Sequence, residues 1–110
     1  MAGGFRLNKN EKEMRKIEEN MLQAIAARKN WRSGNTAVEV ETSGAVSVWL
    51  HGNCIAVIDG QSKKFKTAGW ATVTTASRLR ALGANIRLHV ADDWIEDLTT
   101  GQPLAVYSFD

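Results

Sequence analysis

The sequence predicts an α+β fold with a long N-terminal helix, an antiparallel β-meander, a second short helix and a C-terminal hairpin. Apolar residues recur every three or four positions in two separate stretches, one near the start of the chain and one beyond its middle. The segments between and after these stretches alternate apolar and polar side chains and are separated by short turn sequences. Helices and strands that are segregated along the chain favour an antiparallel sheet over a doubly wound parallel sheet.

Length and composition predict one globular domain. The chain has 110 residues, of which 44% are hydrophobic and 24% are charged, as in folded rather than disordered proteins. We expect the domain to span residues 8–110 and residues 1–7 to form a flexible N-terminus. No run approaches the roughly 20 apolar residues of a membrane helix, and the N-terminus lacks the apolar core of a secretory signal. We therefore expect no membrane partner.

The first helix is predicted over residues 10–29. Its apolar stripe consists of Met14, Ile17, Met21 and Ile25. Three strands follow at 36–40, 46–50 and 55–58, and "KKFKT" at 63–67 is a candidate fourth strand. Their short connections, "ETSG" and "HGNC", predict a β-meander.

The second helix is predicted over residues 72–83. Thr72 or Thr74 offers an N-cap hydroxyl, and Gly83 lies where a C-terminal glycine is favoured. One face of the helix collects the apolar side chains, which are Val73, Ala76, Leu79 and Leu82.

Strands return after the second helix. Residues 86–90 alternate, so that Ile86, Leu88 and Val90 are expected to face inward. The final hairpin is predicted to pair residues 94–98 with residues 104–109.

The stretch "HGNC" at 51–54 holds one of the two histidines and the only cysteine of the chain. A glycine at the first position of a two-residue loop fits a type II′ turn, so Gly52 and Asn53 are expected to form the loop. His51 then lies opposite Cys54, with Cβ atoms about 4.5–5.5 Å apart. In this register the core side chains are Val48, Leu50, Ile55 and Val57.

Neither metal binding nor catalysis is expected at this turn. A four-ligand site would need His51-x-x-Cys54 together with His89-x-x-Asp92, but the spacings typical of structural zinc sites are missing. A Cys54–His51 nucleophile would need an orienting acid, an oxyanion site and exclusion of water, and the sequence indicates none of these. We therefore expect no metal, no cofactor and no enzymatic activity.

The lone thiol of Cys54 points to assembly instead. A single cysteine cannot bridge its own chain, and its presence is typical of an intracellular protein. Two copies related by a two-fold axis present identical patches to each other. An intermolecular Cys54 disulfide, flanked by an interface of Trp49 and His51, would then make the protein a homo-oligomer.

An uneven distribution of charge supports a second hypothesis. Residues 61–91 carry six basic and no acidic side chains, whereas residues 92–110 carry five acidic and no basic ones. The basic segment 63–87 interleaves an aromatic side chain with its cations, as nucleic-acid-binding surfaces do. The residues concerned are Lys63, Lys64, Lys66, Trp70, Arg78, Arg80 and Arg87. The alternative is that these cations only protect an edge strand and solvate the exposed side of a helix.

Three motifs of the chain resemble small proteins carried by tailed bacteriophages, cyanophages included. They are "GNT" (34–36), "WLHGN" followed by "IAVI" (49–58), and "GWATVTTASRLRAL" (69–82). They match the patterns LHGN-x-IA and GW-x-T-x-TT-x-x-R-L, and the resemblance covers residues 34–90. It implies a phage origin, action in the host bacterial cytoplasm and structural roles for the signature positions, but no activity. Those positions are Gly52, Asn53, Gly69, Trp70, Thr74, Thr75 and Arg78.

These observations together predict a phage accessory protein that is not an enzyme, associates with itself and responds to oxidation through Cys54. A nucleic-acid-binding module that uses residues 63–87 is the alternative function. A host protein is a further candidate partner.

Overall fold

The computed structural model describes the backbone of residues 9–106 and the side chains of residues 15–106. Its elements are α1 (Lys9–Ala27), β1 (Trp31–Ser33), β2 (Thr36–Val40), β3 (Val46–Leu50), β4 (Asn53–Asp59), β5 (Ser62–Phe65), α2 (Val73–Ala81), β6 (Ile86–His89), β7 (Trp94–Asp97) and β8 (Gln102–Pro103). The strands form two antiparallel sheets, ordered β1-β2-β3-β4-β5 and β6-β7-β8. This confirms the predicted α+β class. The predicted flexible segment 1–7 lies outside the described residues.

Helix α1 packs the second half of its apolar stripe against the first sheet. Met21 and Ala24 are buried, and Ile25 is partly buried against the same core. The side chain of Met14 lies outside the described residues. The helix stops at Ala27, two residues before the predicted end, because Arg28 takes a left-handed conformation with φ of 53°.

The core lies between the two helices and one face of the first sheet, called here the inner face. Strand alternation sends every second side chain to this face. The buried core residues are Val38, Val46, Val48, Leu50, Ile55 and Ala56 from the sheet, Ala76, Leu79 and Leu82 from and after α2, and Ile86 and Ile95 from the second sheet. Side chains on the opposite face, the outer face, are mostly half-buried or exposed.

Helix α2 begins with the predicted cap. Thr72 is extended, and its Oγ1 accepts a hydrogen bond from the Thr75 backbone N–H at 3.1 Å. The helix ends just before Gly83, as predicted. Val73 was expected in the core but is 60% exposed, because the buried face of α2 consists of Thr75, Ala76, Arg78 and Leu79.

The second sheet corrects two predictions. Val90 was expected to face inward but is 68% exposed, because β6 ends at His89 and the chain turns there. The last strand was predicted at 104–109 but is β8 at Gln102–Pro103. Leu104 adds one more backbone bond, to the Ile95 carbonyl at 2.8 Å. Residues 107–110 lie outside the described residues.

Candidate functional site

Two turns lie side by side at one end of the first sheet and enclose a cleft of about 520 Å³. The β1–β2 turn contains Asn35, and the β3–β4 turn contains His51, whose backbone N–H donates to the Asn35 carbonyl at 2.8 Å. The residues that line this cleft, called here the turn cleft, include Arg32, Asn35, Ala37, Glu39, Trp49 and His51. Its volume lies within the 300–1,000 Å³ range that is usual for binding sites.

The two turns have different types, and the second differs from the prediction. Gly34 alone has a positive φ in the first turn, 56°, which is the type II′ pattern. In the second turn His51 and Gly52 have φ of 52° and 78°, the type I′ pattern. The predicted loop of Gly52 and Asn53 is therefore wrong, because Asn53 already belongs to β4 and pairs with Leu50.

The corrected register changes the neighbour of the cysteine. Cys54 lies opposite Trp49 and not opposite His51. Val48 pairs with Ala56, so Ile55 is an extra residue in β4 and forms a β-bulge. Ile55 is buried as predicted.

The bulge also reverses the faces on which Ala56 and Val57 lie, compared with the predicted register. Ala56 is buried, whereas Val57 is half-buried on the outer face and is not a core residue.

A row of four side chains crosses the outer face, and three of them line the turn cleft. Strand pairing places Arg32 opposite Ala37, Ala37 opposite Trp49, and Trp49 opposite Cys54. The structure therefore brings together all three residues predicted for the interface, since His51 lines the same cleft as Trp49. Arg32, at the end of the row, was not predicted as a site residue, because it lies in β1, a strand that the sequence did not predict.

Trp49 has an unusual environment. Among the described residues its indole Nε1 is buried and has no hydrogen-bond partner. A buried donor without an acceptor costs about 1–3 kcal/mol and is rare in native structures. Trp49 thus has a buried donor for which the described part of the chain supplies no acceptor.

A chain of hydrogen bonds runs from the core to this cleft. Arg78 Nη1 donates to Glu18 Oε2 at 2.8 Å, and Arg78 Nε donates to Thr36 Oγ1 at 3.0 Å. Thr36 Oγ1 in turn donates to Asn35 Oδ1 at 2.7 Å, and the Asn35 carbonyl receives the His51 N–H. The motifs "GNT", "LHGN" and "TT-x-x-R" therefore meet in one network that fixes the wall of the cleft.

Arg78 is a correction to the nucleic-acid hypothesis. Its side chain is 2% exposed because it is held between Glu18 and Thr36, so it cannot contact a phosphate. Lys63 is also engaged, since its Nζ donates to the Leu82 carbonyl at 3.1 Å. Trp70, at 55% exposure, and Arg80 lie on the surface as expected.

Cys54 is half-buried, and its Sγ donates to the Ala56 carbonyl at 3.5 Å. Burial raises the pKa of the thiol, and the positive charge of Lys66 only partly offsets this. The thiolate is the reactive form, so this environment makes Cys54 a slow nucleophile.

The second histidine belongs to a different cluster. His89 stacks on Trp94 with ring centroids 4.2 Å apart, and its Nε2 lies 2.8 Å from Glu96 Oε1. It is located in the second sheet, whereas His51 lies on the turn cleft. Within residues 15–106 no three side chains of the metal-binding types form a group that could hold an ion.

Comparison with known proteins places the chain in a family. Neither the curated proteins nor the solved structures gave a match. Among the described helices, none combines the length and the apolar character that crossing a membrane requires. The family model of the Kyanoviridae Gp96 protein matches residues 14–94, a span that includes the three motifs and every described residue of the turn cleft. The chain therefore belongs to the Kyanoviridae Gp96 family of cyanophage proteins.

Proposed function

We propose that this phage protein is a non-enzymatic accessory protein that acts by binding in the host bacterial cytoplasm, and that its outer face binds a second copy of the chain. One observation carries the proposal: the helices pack on the inner face and leave Trp49, Cys54 and Val57 half-buried on the outer face. Aromatic side chains surrounded by polar ones are typical of protein interfaces.

The size of the face determines how strong this association is. Strands about 4.8 Å apart with a rise of about 3.3 Å per residue give a face of five strands and five residues a projected area of roughly 400 Å². A standard stable interface buries about 800 Å² per partner. We therefore expect weak, concentration-dependent association.

The Cys54 disulfide is a secondary part of the proposal. Sheets packed face to face lie about 10 Å apart, whereas a disulfide needs Cα atoms about 4.4–6.8 Å apart. A Cys54 disulfide therefore requires two copies to approach at the turn end of the sheet. We expect association to persist in reductant and the disulfide to form only slowly under oxidising conditions.

Sedimentation over a wide concentration range tests the proposal. Wild type should gain mass with concentration, whereas Trp49→Ser and Val57→Lys should remain monomeric. Trp70→Ser is the matched control, because it removes the same type of side chain from an exposed position between β5 and α2, outside the strands of the first sheet. Circular dichroism confirms that each variant is folded. A wild type that stays monomeric at every concentration, with and without reductant, would refute self-association and leave a host protein as the candidate occupant.

Nucleic-acid binding through residues 63–87 is the second candidate function. The exposed aromatic ring of Trp70 and the exposed Arg80 favour it. The burial of Arg78 counts against it, because the cation at the centre of the segment is already paired.

A further inference from the structure

Two opposite charges share the turn cleft without meeting each other. Arg32 and Glu39 both line the cleft and are both exposed. In the part of the chain that the structure describes, the ion pairs are Arg78–Glu18 and His89–Glu96, so Arg32 and Glu39 do not form one. The cleft of a single copy therefore presents one cation and one anion to whatever binds there.

The strand register places both charges on the same face. Arg32 lies opposite Ala37, and Glu39 follows Ala37 by two positions along β2. Residues two apart on a strand point to the same side. The two charges therefore flank Ala37 on the outer face, next to Trp49 in the neighbouring strand.

We propose that a second copy, related by a two-fold axis, occupies this cleft, and that Arg32 of each copy binds the partner's Glu39. The inference rests on the proposed self-association and specifies its geometry. A two-fold interface brings identical patches together, so a patch with one cation and one anion can form two equivalent ion pairs with its copy. Arginine and a carboxylate also form the strongest type of protein ion pair.

Other classes of occupant fit the cleft less well. A nucleic acid would bring phosphates towards Glu39, and a purely acidic peptide would meet the same repulsion. A purely basic peptide would face Arg32. Only an occupant with both signs in the opposite arrangement satisfies both residues, and a second copy has this property by symmetry.

A charge exchange tests the pairing directly. Sedimentation equilibrium would compare wild type, Arg32→Glu, Glu39→Arg and the double variant Arg32→Glu/Glu39→Arg. All positions are exposed, so the fold should survive, and circular dichroism checks this. Arg80→Glu, an exposed arginine on α2, is the matched control.

Each single variant should associate about tenfold or more weakly than wild type, because like charges then face each other twice across the axis. The double variant should return to within about threefold of wild type. Singles that associate as wild type does, or a double variant as weak as the singles, would overturn the pairing while leaving self-association intact. A monomeric wild type would overturn both proposals.

Discussion

Arg78 donates to Glu18 across 2.8 Å and joins two helices that lie sixty positions apart in the chain. The arginine is almost completely buried, and the glutamate also accepts a hydrogen bond from Ser77. The pair satisfies charges that folding removes from water, so the loss of either partner leaves an unpaired charge inside the protein.

Replacing Glu18 should therefore destabilise the fold strongly. We expect Glu18→Gln to lower the free energy of unfolding by about 3 kcal/mol, the lower end of the range for a broken buried pair, because Glu18 is itself 14% exposed. Urea denaturation followed by circular dichroism measures this. Glu19→Gln is the control, since Glu19 is exposed on the same helix and should change stability little. Equal stabilities for the two variants would contradict the structural role of the pair.

The β3–β4 turn makes a prediction about glycine. Gly52 has a φ of 78°, and a Cβ added there would meet nothing within 4 Å. Gly52→Ala should therefore lose about 1–2 kcal/mol through backbone strain alone. His51→Asn should be tolerated, because asparagine favours the first position of a type I′ turn. Thermal unfolding measures both variants, and His51→Asn distinguishes this turn from a Gly52–Asn53 loop, in which residue 51 would be a strand residue and asparagine unfavourable.

The thiol of Cys54 should react slowly in the folded protein. Because burial raises its pKa, less thiolate is present at neutral pH than in the unfolded chain. The rate of modification by a thiol-specific chromogenic reagent should be lower for native protein than for protein in urea at the same pH. A native rate equal to the unfolded rate would show that the thiol is not protected.

The same shift predicts the direction of a pH effect on stability. A thiol whose pKa is raised on folding holds its proton more tightly in the native state, so it contributes stability below the ordinary pKa of cysteine. This contribution declines as the pH rises through the pKa of the folded state. Cys54→Ser should remove this decline at alkaline pH, and unfolding curves of the two chains measured at neutral and alkaline pH would show it.

Nucleic-acid binding through residues 63–87 should be weak and sensitive to salt. Arg78 is buried and Lys63 is bonded to the Leu82 carbonyl, so these two cations contribute little to the displacement of counterions from phosphates. A gel shift with single-stranded DNA should appear, if at all, only at low salt and should weaken further in Arg80→Ala. Binding that persists at physiological salt with a steep salt dependence would contradict this expectation.

The sequence correctly predicted the elements whose structure depends on residues close to one another in the chain. The alternation in β2 and β3 and the Thr72 cap of α2 each depend on neighbouring residues alone. Strand β1 was missed because Trp31–Ser33 is too short to show a period of two. Arg32, which lies in that strand, was therefore not recognised as a residue of the outer face.

The remaining errors come from interactions that local patterns do not contain. In "HGN" either His51–Gly52 or Gly52–Asn53 can form a two-residue loop, and the choice depends on the bulge at Ile55 and on the bond from His51 to Asn35. In the sequence Arg78 resembles an exposed helix cation, because its partner Glu18 lies in a helix sixty positions away. The candidate site was predicted in part, through Trp49, His51 and Cys54, but its charged members were not.

The distance along the chain between Glu18 and Arg78 has a consequence for biosynthesis. The ribosome makes α1 first, but Glu18 can pair with Arg78 only after sixty more residues have been translated. Until then Thr36 Oγ1 lacks the hydrogen bond that Arg78 Nε donates to it beside the turn cleft. We therefore expect the wall of the turn cleft to reach its final form only after α2 has been synthesised and docked, so that chains still on the ribosome lack the surface proposed for self-association.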